Sequence, residues 1–353
     1  MVVPRLKLFA VPLIVALGLG PQACQSAAAP PADGAIRLGP ESGPQLRMTY
    51  LGSGGWIMEH DGVQILAAPL FSNPDLLRTG LDGISSDTLE VDRFMGRFDV
   101  TGARAILVGH AHYDHLMDVP RVAAVHARAA RILGSRTVEN TLGTWSGLRD
   151  RVDTLEAWAG DQETVGQWIH FGPRARVMPL RSLHGPHFDG HTLYQGTVDR
   201  PRATPPRWAT EWLDGQTFAF LVDFLDDRGD VTFRVYYQDA VAPAPLGFAP
   251  AALIAERPVD VAVLVPATFE EVAWHPEAIV ANLRPRRILL GHWEDFFQPI
   301  DGEAEPVPLT DLAEFERRLG RVFDGDVRRP EPLTELTIGR WVEPSAATPG
   351  PES

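Results

Sequence analysis

The stretch Gly109-His110-Ala111-His112-Tyr113-Asp114-His115 packs three imidazoles and a carboxylate into six consecutive positions after a glycine. It follows directly on an apolar run, 104–109, that reads as a buried strand. Alternate residues of an extended segment point the same way, so His110 and His112 can grip one cation together. Asp114 and His115 come where the chain curls into a helix and can face a second cation. Imidazole and carboxylate donors suit zinc, manganese or iron. One loop supplies at most half of two coordination spheres, so further donors must come from downstream, each at the rigid end of a strand. Three positions meet that condition: His184 after 174–180, Asp239 after 231–237, and His292 after 287–290. The two oxygens of Asp239 can bridge a pair of ions. His187 competes with His184, which stands nearer its strand. Taken singly, Asp239 reads as a turn residue and His292 as a core histidine; beside the first loop they read as ligands.

The elements that must carry these residues are mostly short strands. Segments 48–51, 56–60 and 63–67 alternate with glycine-bearing turns, and His60-Asp61-Gly62 marks a hairpin. Segment 69–99 reads as a long covering loop. Asp118 is placed to cap a helix that starts at Val119 and Pro120 and runs through Ala130. A strand at 131–134 and a short helix at 137–145 follow. In the second half, 167–171 and 174–180 read as a hairpin, and 217–224 and 231–237 as strands around Asp226-Asp227-Arg228-Gly229. Strands at 261–265 and 287–290 enclose a helix near 276–283, and 310–321 is an amphipathic helix. A second long loop, 187–215, carries Phe188, Trp208 and Trp212; with Asn73 it is a candidate wall for a pocket. Tyr113, His187, Trp293 and Glu294 adjoin ligand positions, where packing or solvent contact is expected first and substrate contact second. Composition does not shift between the halves, so 40–353 reads as one large α/β domain built of two similar halves.

At 353 residues, with 44% hydrophobic and 22% charged, the chain has ample material for a core. That composition excludes a disordered chain, a collagen-like fibre and a multi-span membrane protein. Acidic residues outnumber basic ones, 46 against 32, for a net charge of -14, which sets general nucleic-acid binding aside. The single cysteine, Cys24, rules out an intramolecular disulfide. Arg5 and Lys7, the apolar run 8–20 and the small residues after it have the layout of an export signal, so 1–39 reads as signal plus linker. Two readings stay open. Cys24 is lipidated and attaches the chain to a membrane as a periplasmic or outer-membrane lipoprotein, although Pro21 stands where such signals usually have leucine. Otherwise cleavage falls within Ala27-Ala28-Ala29 and Cys24 is discarded.

The sequence resembles the metallo-β-lactamase-fold superfamily of metal-dependent hydrolases. The likeness runs over about residues 48–297 and rests on H-x-H-x-D-H at 110–115, Thr49-Tyr50-Leu51-Gly52 and the Asp61-Gly62 turn. The resemblance implies an αββα sandwich, two β-sheets flanked by helices, with a metal site at one edge. It implies two zinc ions, with manganese or iron as alternatives. His110, His112 and His184 would hold the first ion, and Asp114, His115 and His292 the second. Asp239 would bridge, and Asp114 and Asp239 would be the catalytic carboxylates. The lactonase and phospholipase-D-like branch is the nearest in pattern, on Leu51-Gly52 and Tyr113-Asp114-His115-Leu116. The chain departs from that branch at Ser53, where His or Asn is usual, and at Ala68-Pro69, where Asp-Pro is usual; a missing carboxylate there bears on the groups that orient the ligands.

Two cations that share a water lower its pKa toward neutrality and supply hydroxide. The expected reaction is therefore hydrolysis of an ester-type bond in a small-molecule or lipid-like substrate, most simply a phosphodiester, with a lactone as the alternative. A β-lactam is not expected. The thiol that some such lactamases place at the second metal is absent from the domain, and others lack the carboxylate that Asp239 supplies. Two further readings are an iron-dependent redox enzyme on the same fold and a non-catalytic, metal-binding envelope lipoprotein.

Overall fold

The protein is described here by a computed structural model, which covers residues 36–39 and 42–340. The expected export signal and Cys24 lie outside the described residues. Among the described residues fifteen strands are formed: β1 (Ile36–Leu38), β2 (Gln45–Gly52), β3 (Gly55–His60), β4 (Val63–Ala67), β5 (Ala103–Leu107), β6 (Arg131–Gly134), β7 (Val152–Thr154), β8 (Ile169–His170), β9 (Ala175–Arg181), β10 (Phe218–Leu225), β11 (Val231–Tyr237), β12 (Val261–Leu264), β13 (Arg287–Leu290), β14 (Asp326–Arg328) and β15 (Glu335–Gly339). They make two mixed sheets, ordered β1-β15-β2-β3-β4-β5-β6-β7 and β14-β13-β12-β11-β10-β9-β8. Each sheet repeats one plan. Three antiparallel strands (β2 to β4; β9 to β11) lead into three parallel ones (β5 to β7; β12 to β14). β15 returns from the second half to pair with β2, and β1 lies beside it in parallel. Residues 36–38, which the sequence places in the linker, thus form an edge strand.

Period-two patterning decides how the layers stack. In β4 and β5, Ile65, Ala67, Ala105 and Leu107 face a core shared with the second sheet. Their neighbours Leu66 and Ile106 face a second core closed by Val91, Phe94 and Met95 of the helix Thr88–Met95 and by Val119, Val122 and Ala123. β10 is buried at all eight positions because helices cover its outer face as the first sheet covers its inner one. The helix Leu312–Val322 shows how sequence sets such a cover. Asp311 caps it by accepting the Glu314 N–H at 2.9 Å. Leu312, Phe315 and Leu319, spaced for one helical face, are its buried residues. Each such side chain stabilises the fold by about 1.5–3 kcal/mol, and Phe315→Ala would cost about 3–5 kcal/mol.

Two expectations are corrected. Asp118 does not cap a helix through Ala130: the α-helix covers only Val119–Arg121, and a wider turn, Val122–His126, follows. Its carboxylate instead accepts from the Phe71 and Ser72 N–H groups at 2.7 and 2.9 Å and from the Ser72 hydroxyl at 2.6 Å, tying down the segment after β4. That segment, 69–99, is not all loop, since helices form at Leu76–Leu81 and Thr88–Met95, capped by Asp75 and Asp87. The β3–β4 turn is as expected, with Asp61 and Gly62 both at positive φ, 49° and 77°.

Candidate metal centre

Four segments meet at one edge of the sandwich, each leaving the carboxyl end of a strand. After β5 the chain bends at Gly109 and His110, is extended at His112, and then enters the short helix Tyr113–Leu116, which holds Asp114 and His115. This loop is anchored to the approach to β10: Gly109 C=O accepts the Phe218 N–H at 2.8 Å, and the Ala111 N–H reaches Asp214 C=O at 2.9 Å. β9, β11 and β13 run in one direction and deliver His184, Asp239 and His292.

All seven residues predicted from sequence come together. The donor atoms of His110, His112 and His184 lie within 4.8 Å of one another, and so do those of His110, Asp114 and His115. His292 Nε2 is 3.2 Å from Asp114 Oδ2, and His115 Nε2 is 3.1 Å from the same oxygen. Asp239 places one oxygen 3.0 Å from His110 Nδ1 and the other 3.9 Å from His115 Nδ1. The contacts of His110 Nδ1 with Asp239 and of His292 Nε2 with Asp114 are hydrogen bonds, and they orient the two rings so that the opposite nitrogen of each stays without a partner.

Among the described residues, His110 Nε2, His112 Nε2, both nitrogens of His115 and His292 Nδ1 are buried with no hydrogen-bond partner. So many orphaned imidazole nitrogens aimed into one small volume are costly unless a cation takes them. Burial holds His110 and His184 well below the ordinary imidazole value and pushes His112 down to about 4, keeping their lone pairs free. Burial opposes protonation of His115 as well, but the carboxylates of Asp114 and Asp239 outweigh it and hold it up. Asp114 is well below the usual carboxylate range: burial works against that, and His115 and His292 prevail. Desolvation pushes Asp239 up, a penalty that an adjacent cation removes. The donor set therefore fits divalent metal ions.

Residues not predicted from sequence complete the frame. The Gly109 N–H donates to Asp239 at 2.8 Å, and a Cβ at Gly109 would overlap that carboxylate. His292 adopts a left-handed backbone, φ 53°. Its N–H donates to the Tyr50 hydroxyl at 2.7 Å, which donates in turn to Glu294. The second Glu294 oxygen accepts the Ser53 N–H at 2.5 Å. Glu294 is therefore a buried strut and not a solvent-facing neighbour. Adjacency to His292 was the only sequence signal for it.

Above the cluster lies a cavity of about 310 Å³, with Leu76, Phe188, Val265, Phe296, Phe297 and Leu309 among its walls. Tyr113 and His187 line it, whereas Trp293 is buried elsewhere with its indole N–H on Pro330 C=O. Of the three apolar residues singled out in loop 187–215, Phe188 reaches the cavity, where Leu193 and Tyr194 of the same loop join it. Trp212 is buried in the second core and Trp208 lies outside. Asn73 bonds to Gln298 C=O away from it. Among the described residues no arginine or lysine lines this cavity.

No protein-family model matches the sequence, and no curated protein does. Solved structures do. Igni18, a metallo hydrolase from the hyperthermophilic archaeon Ignicoccus hospitalis, is 18% identical; the alignment covers 83% of this chain and 98% of that one at a TM-score of 0.50. YhfI from Bacillus subtilis, a metallo-β-lactamase-fold protein, is 12% identical over 84% of this chain and 100% of that one, TM-score 0.46. CmlA, a diiron β-hydroxylase from Streptomyces venezuelae, is 15% identical over 85% of this chain and 55% of that one, TM-score 0.46. At such identities the likeness is one of fold. With two mixed sheets face to face, helices outside and the histidine-rich edge between them, the chain has the αββα metallo-β-lactamase fold.

Proposed function

We propose that the chain is a dinuclear metal-dependent hydrolase of ester-type bonds, acting on a phosphodiester that carries apolar groups. The observation that carries this reading is the convergence of seven imidazole and carboxylate donors, most with unpartnered atoms, at the floor of an apolar cavity. His110, His112 and His184 are assigned to one ion, Asp114, His115 and His292 to the other, and Asp239 to both. Divalent ions, zinc first, supply Lewis acidity and an activated water when bound. The protein's part is to orient and to exclude. Asp114 and Asp239 fix the donor geometry, Gly109 holds Asp239, and the apolar walls keep bulk water from the reacting bond.

Charge favours a monoanion. Five neutral imidazoles and two carboxylates leave two divalent ions with a net charge of +2, and one activated water reduces that further. Among the described residues no arginine or lysine in the cavity adds to it. A phosphodiester, with one negative charge, balances the charge of +1 that remains once the activated water is counted as hydroxide, with no need of a basic side chain. The same lack of basic residues supports a lactone with an acyl chain as the second reading.

The test is a screen of zinc-loaded protein against bis(4-nitrophenyl) phosphate, phospholipids, acyl lactones and β-lactams. Turnover of phosphodiesters is expected. Efficient turnover of penicillins or carbapenems with none of phosphodiesters or lactones overturns the reading. No described helix is long and apolar enough to cross a membrane. Export, through the basic start and apolar run before residue 36, belongs to this proposal. Fractionation that leaves the uncleaved chain in the cytosol rejects it, and release from membranes by Cys24→Ala would identify lipidation.

A further inference from the structure

His184 and His187 stack at 4.5 Å between centroids with only 6° between their planes, yet their backbone partners give them opposite chemistry. His184 Nδ1 lies 2.7 Å from Gly185 C=O, which can only accept, so Nδ1 carries the proton and Nε2 the lone pair. His187 Nδ1 lies 3.0 Å from the Leu193 N–H, which can only donate. Its Nδ1 therefore carries the lone pair and its proton sits on Nε2. Such a ring has no lone pair left for a cation. It is an N–H donor that lines the cavity, and its Nε2 has no partner among the described residues.

The donor is also fixed in place. The His187 N–H bonds to His191 C=O at 2.8 Å, and the His191 N–H to Phe188 C=O at 2.8 Å, closing a tight turn. The tip of that turn is held by Glu271, whose carboxylate accepts from the Asp189 and Gly190 N–H groups at 3.0 and 2.8 Å. The stack on His184 sets the ring plane, and the ring stands 5.7 Å from His112. An N–H aimed beforehand at the place where charge develops need not reorganise during reaction.

We propose that His187 is a fixed substrate-binding donor: its Nε2–H takes an oxygen of the reacting group on the side of the cavity bounded by His112 and His184. This rests on the hydrolase reading and adds to it a residue that contacts substrate without holding metal.

The experiment compares the full chain with His187→Phe, which keeps a ring on His184 but no donor, and His187→Gln, which restores an N–H. Metal content by elemental analysis and the visible spectrum of cobalt-substituted protein report on the ions. Titration of that spectrum with inorganic phosphate reports on oxygen binding without turnover. Expected for His187→Phe are wild-type metal content and spectrum, phosphate affinity weakened about tenfold, and kcat/KM for bis(4-nitrophenyl) phosphate lowered about 10²-fold, mostly in kcat. His187→Gln is expected to recover most of both. Loss of an ion in His187→Phe, or phosphate affinity equal to wild type, overturns the proposal. Phosphate binding that depends on His187 in a protein that turns over no diester overturns the phosphodiester reading alone.

Discussion

At the two neighbouring histidines of the 182–187 segment, the atom facing Nδ1 is an acceptor in one case and a donor in the other, and the proposed roles of ligand and substrate contact follow from that difference. The expected outcome is direct: His184→Ala loses metal, and His187→Ala keeps it. Elemental analysis decides between them, and the reverse result would exchange their roles. The sequence favours His184 by its closeness to a strand, because a ligand near a fixed strand loses little entropy on being held. The tautomers are invisible there, since they depend on Leu193 and on the fold of the turn. Gly109 is a similar case. Sequence marks it only as the residue before His110, yet the absence of a side chain is what lets Asp239 reach the backbone N–H. Gly109→Ala is expected to fold, with a circular dichroism spectrum like wild type, and to bind both ions at least tenfold more weakly because the shared carboxylate is displaced. Unchanged metal affinity would show that Asp239 has room to move. His110→Ala is expected to empty the first site outright, and Asp239→Ala to weaken both.

At the scale of elements, β2 and the segment after β13 are linked by Tyr50, Glu294 and the His292 N–H. A left-handed conformation at a residue other than glycine costs on the order of 1–2 kcal/mol, and this linkage is what holds His292 in it. Tyr50→Phe removes one oxygen and leaves the buried His292 N–H without its partner, at a cost of about 1–3 kcal/mol. The expected consequence is selective: the second ion binds at least tenfold more weakly while the first is retained, read as one cobalt transition lost from two. Equal retention of both would deny the linkage a role in holding the metal. Strand positions were legible in sequence wherever an apolar run meets a turn, as at 63–67, 231–237 and 287–290. Helix extents were less so. The 119–130 reading failed because Asp118 spends its carboxylate on Phe71 and Ser72, a tertiary partnership that local capping rules do not contain. The helices inside 69–99 escaped because they are short: Thr88–Met95 shows its apolar spacing only at Val91, Phe94 and Met95, and Leu76–Leu81 has no apolar face turned to the core. Leu76, Leu77 and Leu81 are all exposed.

For the molecule as a whole, the site lies across both halves of the fold: one half supplies His110 to His115, and the other His184, Asp239 and His292. The two-half plan was legible because the strand grammar repeats along the chain, whereas the return of β15 to the first sheet, and the use of 36–38 beside it, were not. Chain closure of that kind leaves no local pattern. An ion held by both halves binds the folded chain and not the unfolded one, so loading should raise global stability. Metal at 100 times its dissociation constant adds about 2.7 kcal/mol per site, which for a chain of this size raises Tm by several degrees. Acid should act in the opposite sense. Burial depresses His112 and the core residue His275 to about 4, and it lowers His110 and His184 as well. A histidine held below its unfolded value of about 6.5 contributes stability that is complete above that pH. The contribution is lost as pH falls toward the folded value, because the unfolded chain takes up the proton first. The metal-free protein is therefore expected to lose Tm steadily from about pH 6.5 to about pH 4, and the metal-loaded protein to lose it more steeply as protons displace the ions. Differential scanning calorimetry across that range, with and without zinc, measures both effects. A chain whose Tm is indifferent to zinc at pH 7.5 while two ions are bound would show that the centre does not join the halves of the fold.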